Sequence, residues 1–139
     1  RDLVFPVLNK RERHVSRALE AVGLDVSTKK ETSELSLGQQ KLLGVARALV
    51  AEPSLLMLDE PAAGLSSSET EALGRQIIDI SRTGVSILLV DHDMDLVLQV
   101  CDRIFVLDFG CVIASGTPDE IRSNPAVIEA YLGAPSEVG

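Results

Sequence analysis

Apolar positions recur at helical spacing in the first fifty residues and then gather into short continuous runs, so the chain changes character near Pro53. Val15, Ala18, Leu19 and Val22 predict a helix from Asn9 to Val22, with Gly23 as its stop. The opposite face carries Lys10, Arg11, Arg13 and Arg17, which reads as a solvated face or a docking surface. Residues Asp25 to Glu34 are polar and read as a loop. Ser36 with Gln39 three residues on is a capping-box pattern, and the helix it starts continues through Leu42, Leu43, Val45, Ala46 and Leu49 before Pro53.

From Ser54 to Leu58 the chain is continuously apolar until Asp59-Glu60-Pro61, which predicts a strand buried on both faces. Ala62-Ala63-Gly64-Leu65 reads as a loop. Ser66 and Glu69 repeat the capping box ahead of a helix carrying Leu73, Ile77 and Ile80, and Gly84 ends it. A second apolar run, Val85 to Val90, stops at Asp91-His92-Asp93. Strand, helix and strand make a βαβ unit with parallel strands and a right-handed crossover. Met94, Val97, Leu98 and Cys101 mark a further helix. Arg103 to Leu107 and Cys111 to Ala114 flank the turn Asp108-Phe109-Gly110 and predict an antiparallel hairpin. Thr117-Pro118-Asp119-Glu120 starts a short helix. Asn124-Pro125 starts another that carries Val127, Ile128, Tyr131 and Leu132, with a frayed tail from Gly133. The fold class is α/β.

Composition narrows the function. The length of 139 residues suits one globular domain, and no apolar run approaches the roughly 18 residues of a spanning helix. Net charge is −8, with nine Lys/Arg against six Asp/Glu up to residue 50 and four against fifteen afterwards. That acidic balance argues against a nucleic-acid partner, whose phosphates select basic surface. Cys101 and Cys111 have neither the number nor the spacing of a disulfide framework or zinc site, which fits a reducing, intracellular setting.

Three clusters could carry chemistry. The first is Asp59-Glu60 at the carboxyl end of a buried strand, where open parallel sheets bind ligands. Neighbours on a strand point to opposite sides, so the two carboxylates would take different tasks: Asp59 holding Mg²⁺, Glu60 orienting or deprotonating a water. A solvated carboxylate pair is the plainer alternative. The second is Leu35-Ser36-Leu37-Gly38-Gln39-Gln40 at a helix start, where unpaired N–H groups, a hydroxyl and a glycine suit a phosphate; a plain capped helix suits the same residues. The third is His92, just beyond the second buried strand, able to donate to a phosphate or a bound water. His14 reads as surface. Asp108-Phe109-Gly110 matches a metal-binding triplet of protein kinases, but no Gly-rich loop, strand lysine or His-Arg-Asp loop accompanies it, so the hairpin reading stands.

Leu35-Ser36-Leu37-Gly38-Gln39-Gln40, Leu55-Leu56-Met57-Leu58-Asp59-Glu60-Pro61 and Leu89-Val90-Asp91-His92-Asp93, in that order, resemble the C-terminal part of an ATP-binding cassette (ABC) ATPase. The resemblance runs from Ser33 to Gly133. Ala62-Ala63-Gly64-Leu65 and the ending from Gly116-Thr117-Pro118 to Tyr131-Leu132-Gly133 look most like ATPase subunits of branched-chain amino-acid importers, and the related subunit of lipopolysaccharide export looks similar here. It implies a partial P-loop NTPase fold: residues 1–50 belong to the helical subdomain with the signature motif, and residues 51–139 to the ATPase core, with a parallel sheet flanked by helices, a β-hairpin and short helices.

By the same resemblance Ser36, Gly38 and Gln39 form the signature motif that contacts ATP bound in the opposite subunit. Asp59 is the Mg²⁺-linked Walker B aspartate, Glu60 the catalytic glutamate and His92 the switch histidine. Gly64-Leu65-Ser66 is the D-loop. Leu37 replaces the first glycine of the usual Leu-Ser-Gly-Gly-Gln, and Ser66 stands for the usual D-loop aspartate. The implied ligands are ATP and Mg²⁺, and the implied partners are a second ATPase subunit and membrane-spanning permease subunits, at the cytoplasmic face of the membrane.

No Gly-x-x-x-x-Gly-Lys-Ser/Thr phosphate loop and no Q-loop glutamine is present, so the chain reads as a fragment that begins inside the helical subdomain. Alone it is expected neither to bind nor to hydrolyse Mg-ATP, because nothing offsets the repulsion of Asp59 and Glu60 for the phosphates. The resemblance also places a further strand between the one ending at Val90 and the one near Arg103 to Leu107. Rival readings are a non-transport ABC ATPase and an inactive partner-binding remnant.

Overall fold

A computed structural model describes residues 10–25 and 31–132. Helix α1 spans Lys10–Ala21, α2 Leu37–Leu49, β1 Leu55–Asp59, α3 Ser67–Arg82, β2 Ser86–Val90, α4 Met94–Val100, β3 Ile104–Asp108, β4 Cys111–Gly116, α5 Pro118–Arg122 and α6 Pro125–Val127. A 3₁₀ turn at Thr32–Glu34 lies within the stretch read as loop, and residues 26–30 lie outside the described residues, as does the expected frayed tail from Gly133.

The helix starts follow from side chains that satisfy the free N–H groups of a first turn. Ser36 Oγ accepts from the Gln39 N–H at 3.2 Å while Gln39 Oε1 accepts from the Ser36 N–H at 3.0 Å. Ser66 and Glu69 do the same for α3, and Thr117 and Glu120 for α5. Each such cap is worth about 1 kcal/mol. Glu69 is held more tightly than the others: its carboxylate takes the Ser66 N–H at 3.0 Å and the Ser66 hydroxyl at 2.9 Å. These hydrogen bonds, backbone first, pull its pKa below the ordinary value, and the Gly38 amide adds to them.

Strands β1 and β2 pair in parallel, with Leu55 opposite Ser86 and Asp59 opposite Val90. Strands β3 and β4 pair antiparallel, closed by Phe109 and Gly110, whose φ values of 44° and 79° suit the two-residue turn of a twisted hairpin. Ile113 is the extra residue of a bulge between the Val106–Ala114 and Leu107–Val112 pairs. The two sheets are not hydrogen-bonded to each other. Instead α4 joins two cores. Leu96 belongs to the core of Val22, Val45, Leu56, Leu58, Leu73, Ile77 and Ile80, while Val97, one position on, belongs to that of Ile104, Val106, Ala114, Ile121 and Val127.

Two expectations change. The run ending at Asp59 is buried on one face only: Leu56 and Leu58 point into the core, whereas Met57 is 70% exposed. On β2, Leu88 and Val90 are 52% and 56% exposed. The helices cover one side of this sheet, so the run is continuous in hydrophobicity but alternating in burial. The last helix is also not regular. After α6 the chain widens into a π-type turn at Ile128–Leu132, and the Tyr131 hydroxyl donates to the Leu107 carbonyl, tying this turn to the hairpin.

Because Met57, Leu88 and Val90 share an uncovered apolar face, the 139-residue polypeptide is expected to self-associate at micromolar concentration, as an unmasked patch does; a single monomeric boundary in analytical ultracentrifugation with a cooperative melt would count against it. Because the Glu69 pKa is depressed, its capping contribution is complete above the unfolded carboxylate pKa and lost as pH falls through the folded value. Acid melts of the wild type should therefore show a component that Glu69→Gln removes.

Candidate functional site

The register Asp59 opposite Val90 brings the residues after both strands to one edge. The Glu60 N–H donates to the Val90 carbonyl at 2.7 Å, one step beyond the ladder. Glu60 has a φ of 44°, in the left-handed region that a non-glycine residue enters only when its surroundings hold it there. Its carbonyl accepts from Lys41 Nζ of α2 at 3.3 Å, and its carboxylate lies 3.6 Å from His92 Nδ1. That separation is an ion-pair approach rather than a hydrogen bond. Both side chains are well exposed. Asp59 and Glu60 thus diverge, but for a reason beyond strand alternation: Asp59 continues the open face of Leu55 and Met57, while the turn at Glu60 swings its side chain toward His92.

Asp59 is exposed, and its carboxylate makes no hydrogen bond or ion pair among the described residues. No group of three or more potential metal ligands occurs among them either. A lone oxygen donor fits Mg²⁺, which keeps most of its waters and binds through one or two carboxylates plus substrate phosphates. It does not suit zinc, which needs a preformed set of nitrogen or sulfur ligands. A groove of about 260 Å³ between α2 and β1 reaches Asp59 past Lys41, Gly44 and Pro61.

The second cluster joins the start of α2 to the start of α3. A Cβ on Gly38 would stand 3.0 Å from Glu69 Oε1, so the buried glycine lets the α3 cap lie against the first turn of α2. Gly64, at a φ of 78°, lies beside Leu37, whose Cδ2 an added Cβ would meet at 3.2 Å. Ser36, Gly38 and Gln39 therefore sit next to Gly64, Leu65 and Ser66, at the heads of neighbouring helices. Among the described residues no hydrogen bond or ion pair connects Ser36, Gly38 or Gln39 to Asp59, Glu60 or His92.

Three further residues join these clusters without being singled out in the sequence as site residues. Lys41 and Glu69 serve as the links just described, and Asp91 reads there as part of a strand stop and as the neighbour of His92 in the third motif. Its side chain is 1% exposed, its Oδ2 accepts from the Ala62 N–H at 3.1 Å and its Oδ1 from the Asp93 N–H at 3.0 Å. The one signal in the sequence is its place between an apolar run and a helix cap. His14 approaches Glu52 at 3.5 Å, away from these clusters.

A family model described as "ABC transporter" matches residues 3–63, and one described as "Branched-chain amino acid ATP-binding cassette transporter" matches residues 111–137. The chain is 47% identical over 116 residues to the high-affinity branched-chain amino acid transport ATP-binding protein LivG of Escherichia coli, covering 83% of this chain and 46% of LivG. To BraF of Pseudomonas aeruginosa, described in the same words, it is 42% identical over 133 residues, covering 92% and 52%. Among solved structures, an ATP-binding cassette of an ABC transporter in its ADP conformation superposes with a TM-score of 0.80 at 28% identity, covering 96% of this chain and 54% of that one. The cbiO1 protein of Clostridium perfringens gives 0.76 at 35% identity, covering 91% and 52%. The chain spans about half the length of the curated relatives it matches. With motif order, strand register and these likenesses in agreement, the chain belongs to the ATP-binding cassette ATPase family.

Proposed function

We propose that these residues form the C-terminal portion of the ATP-hydrolysing subunit of an importer for branched-chain amino acids. The observation that carries the reading is the meeting of Glu60 and His92 at the carboxyl edge of the parallel pair, with Asp59 beside them. Asp59 would hold Mg²⁺, which when bound supplies positive charge to the phosphates of ATP. Glu60 Oε1 would orient the attacking water and take up its proton, and His92 would donate to the terminal phosphate. Exposure of both side chains supports this, since the reacting groups must reach a ligand outside this chain's own surface.

Ser36, Gly38 and Gln39 would meet ATP held by a second ATPase subunit. That no hydrogen bond or ion pair among the described residues joins them to Asp59, Glu60 or His92 supports a role in trans. Gly64-Leu65-Ser66, packed against that helix start, would couple the two sites. Residues 1–50 would then belong to the helical subdomain and residues 51–139 to the ATPase core. The uncovered face carrying Met57, Leu88 and Val90 suits burial against the remainder of a family fold that is about twice as long. Among the described residues no helix is long and apolar enough to cross a membrane. Attachment at the inner membrane face would go through permease subunits. The exposed Lys10, Arg11 and Arg13 of α1 are the candidate contact.

In a full-length subunit bearing this sequence, Glu60→Gln should lower steady-state ATP hydrolysis by about 10²- to 10⁴-fold while nucleotide binding persists, the ordinary cost of losing a general base; near-normal turnover would refute the assignment. Reversing the charges of Lys10, Arg11 and Arg13 together should reduce co-purification of the permease subunits, and unchanged recovery would remove α1 from the interface.

A further inference from the structure

The Asp91 side chain is 1% exposed beside the site and has no place in the mechanism above. A buried polar side chain is tolerated only where hydrogen bonds replace its water. Both oxygens are so engaged, and with different loops. Oδ2 takes the Ala62 N–H, two residues beyond Glu60 across the buried Pro61, and Oδ1 takes the Asp93 N–H, one residue beyond His92. Pro61 has a fixed φ, so little slack separates the Ala62 amide from Glu60. Asp93 in turn caps α4, its own carboxylate accepting from the Leu96 N–H at 3.0 Å. One side chain therefore links the loop that presents Glu60, the loop that presents His92 and the head of the helix that joins the two cores.

We propose that Asp91 is a positioning residue, which fastens the Glu60 loop to the His92 loop and so sets the distance between the two groups that act on water and phosphate. The inference rests on the ATPase reading of Glu60 and His92. An asparagine at this position offers one carbonyl oxygen and turns an NH₂ toward the second amide donor, so it can keep one link and not both. An alanine keeps neither. If Asp91 served stability alone, its loss would reduce the amount of folded subunit and leave each folded molecule as active as before.

The test uses the full-length subunit with Asp91→Ala, Asp91→Asn and Glu60→Gln, measuring kcat and KM for ATP per molecule of folded protein, with amide exchange followed by mass spectrometry over residues 60–65. Misplacing a reacting group by about 1 Å can cost about 100-fold in rate. The expected result is a kcat lowered by about tenfold or more for Asp91→Ala and by less for Asp91→Asn. KM should stay within about twofold in both, with protection at Ala62 lost in Asp91→Ala. Should Asp91→Ala not fold, Asp91→Asn alone decides, by kcat and KM. A wild-type kcat per folded molecule in the variant tested overturns the proposal. So does a fall in kcat matched by an equal rise in KM or, in Asp91→Ala, retained protection at Ala62. A silent Glu60→Gln would instead overturn the ATPase reading itself, which separates the two failures.

Discussion

The parallel pairing of β1 with β2 is the constraint on which the site depends, because its register decides what stands at the carboxyl edge. With Asp59 opposite Val90, the next residues of both strands emerge together, and the Glu60 N–H extends the ladder by one more bond to Val90. A slip of one residue would turn Leu56 and Leu58 out of the core and separate Glu60 from His92. The hydrophobic burial that fixes the register therefore also fixes the chemistry. Parallel strands need a crossover, and α3 supplies it with Leu73, Ile77 and Ile80 against the same core face.

The edge is then secured by polar groups rather than by packing. The left-handed turn at Glu60 is held from three sides: the Val90 carbonyl, the Lys41 ammonium and, through Ala62, the Asp91 carboxylate. These bonds come from two elements besides β1 itself, so displacing either would be felt at Glu60. The heads of α2 and α3 make a second polar junction, where Glu69 caps one helix and lies against the first turn of the other. The two junctions share the loop from Pro61 to Ser66, which runs from the Glu60 turn to the α3 cap.

Elements whose signals are local are legible in the amino-acid pattern. The capping boxes at Ser36, Ser66 and Thr117 are written in residues three apart, and the hairpin turn in adjacent ones, so the helix starts and the β3–β4 hairpin agree with the pattern. The one-sided burial of β1 is not legible there, because continuous hydrophobicity records what a face can bury and not what covers it. The π-type turn after Val127 is not legible there either, and it holds Tyr131, whose hydroxyl bonds to the Leu107 carbonyl across the fold, a contact between segments far apart in the chain.

The sequence by itself determined the element order, the caps, the parallel βαβ unit and the family, through the spacing of Ser36, Asp59, Glu60 and His92 along the chain. Those properties are carried by neighbours a few residues apart or by the order of motifs. Only the tertiary structure decided that Glu60 turns back toward His92, that the Asp91 carboxylate ties the two loops, and that Gly38 lies against Glu69 and Gly64 against Leu37. Each of these depends on side chains from distant segments meeting in space. Such meetings are set by strand register and by two helices sharing a core, which no local pattern encodes.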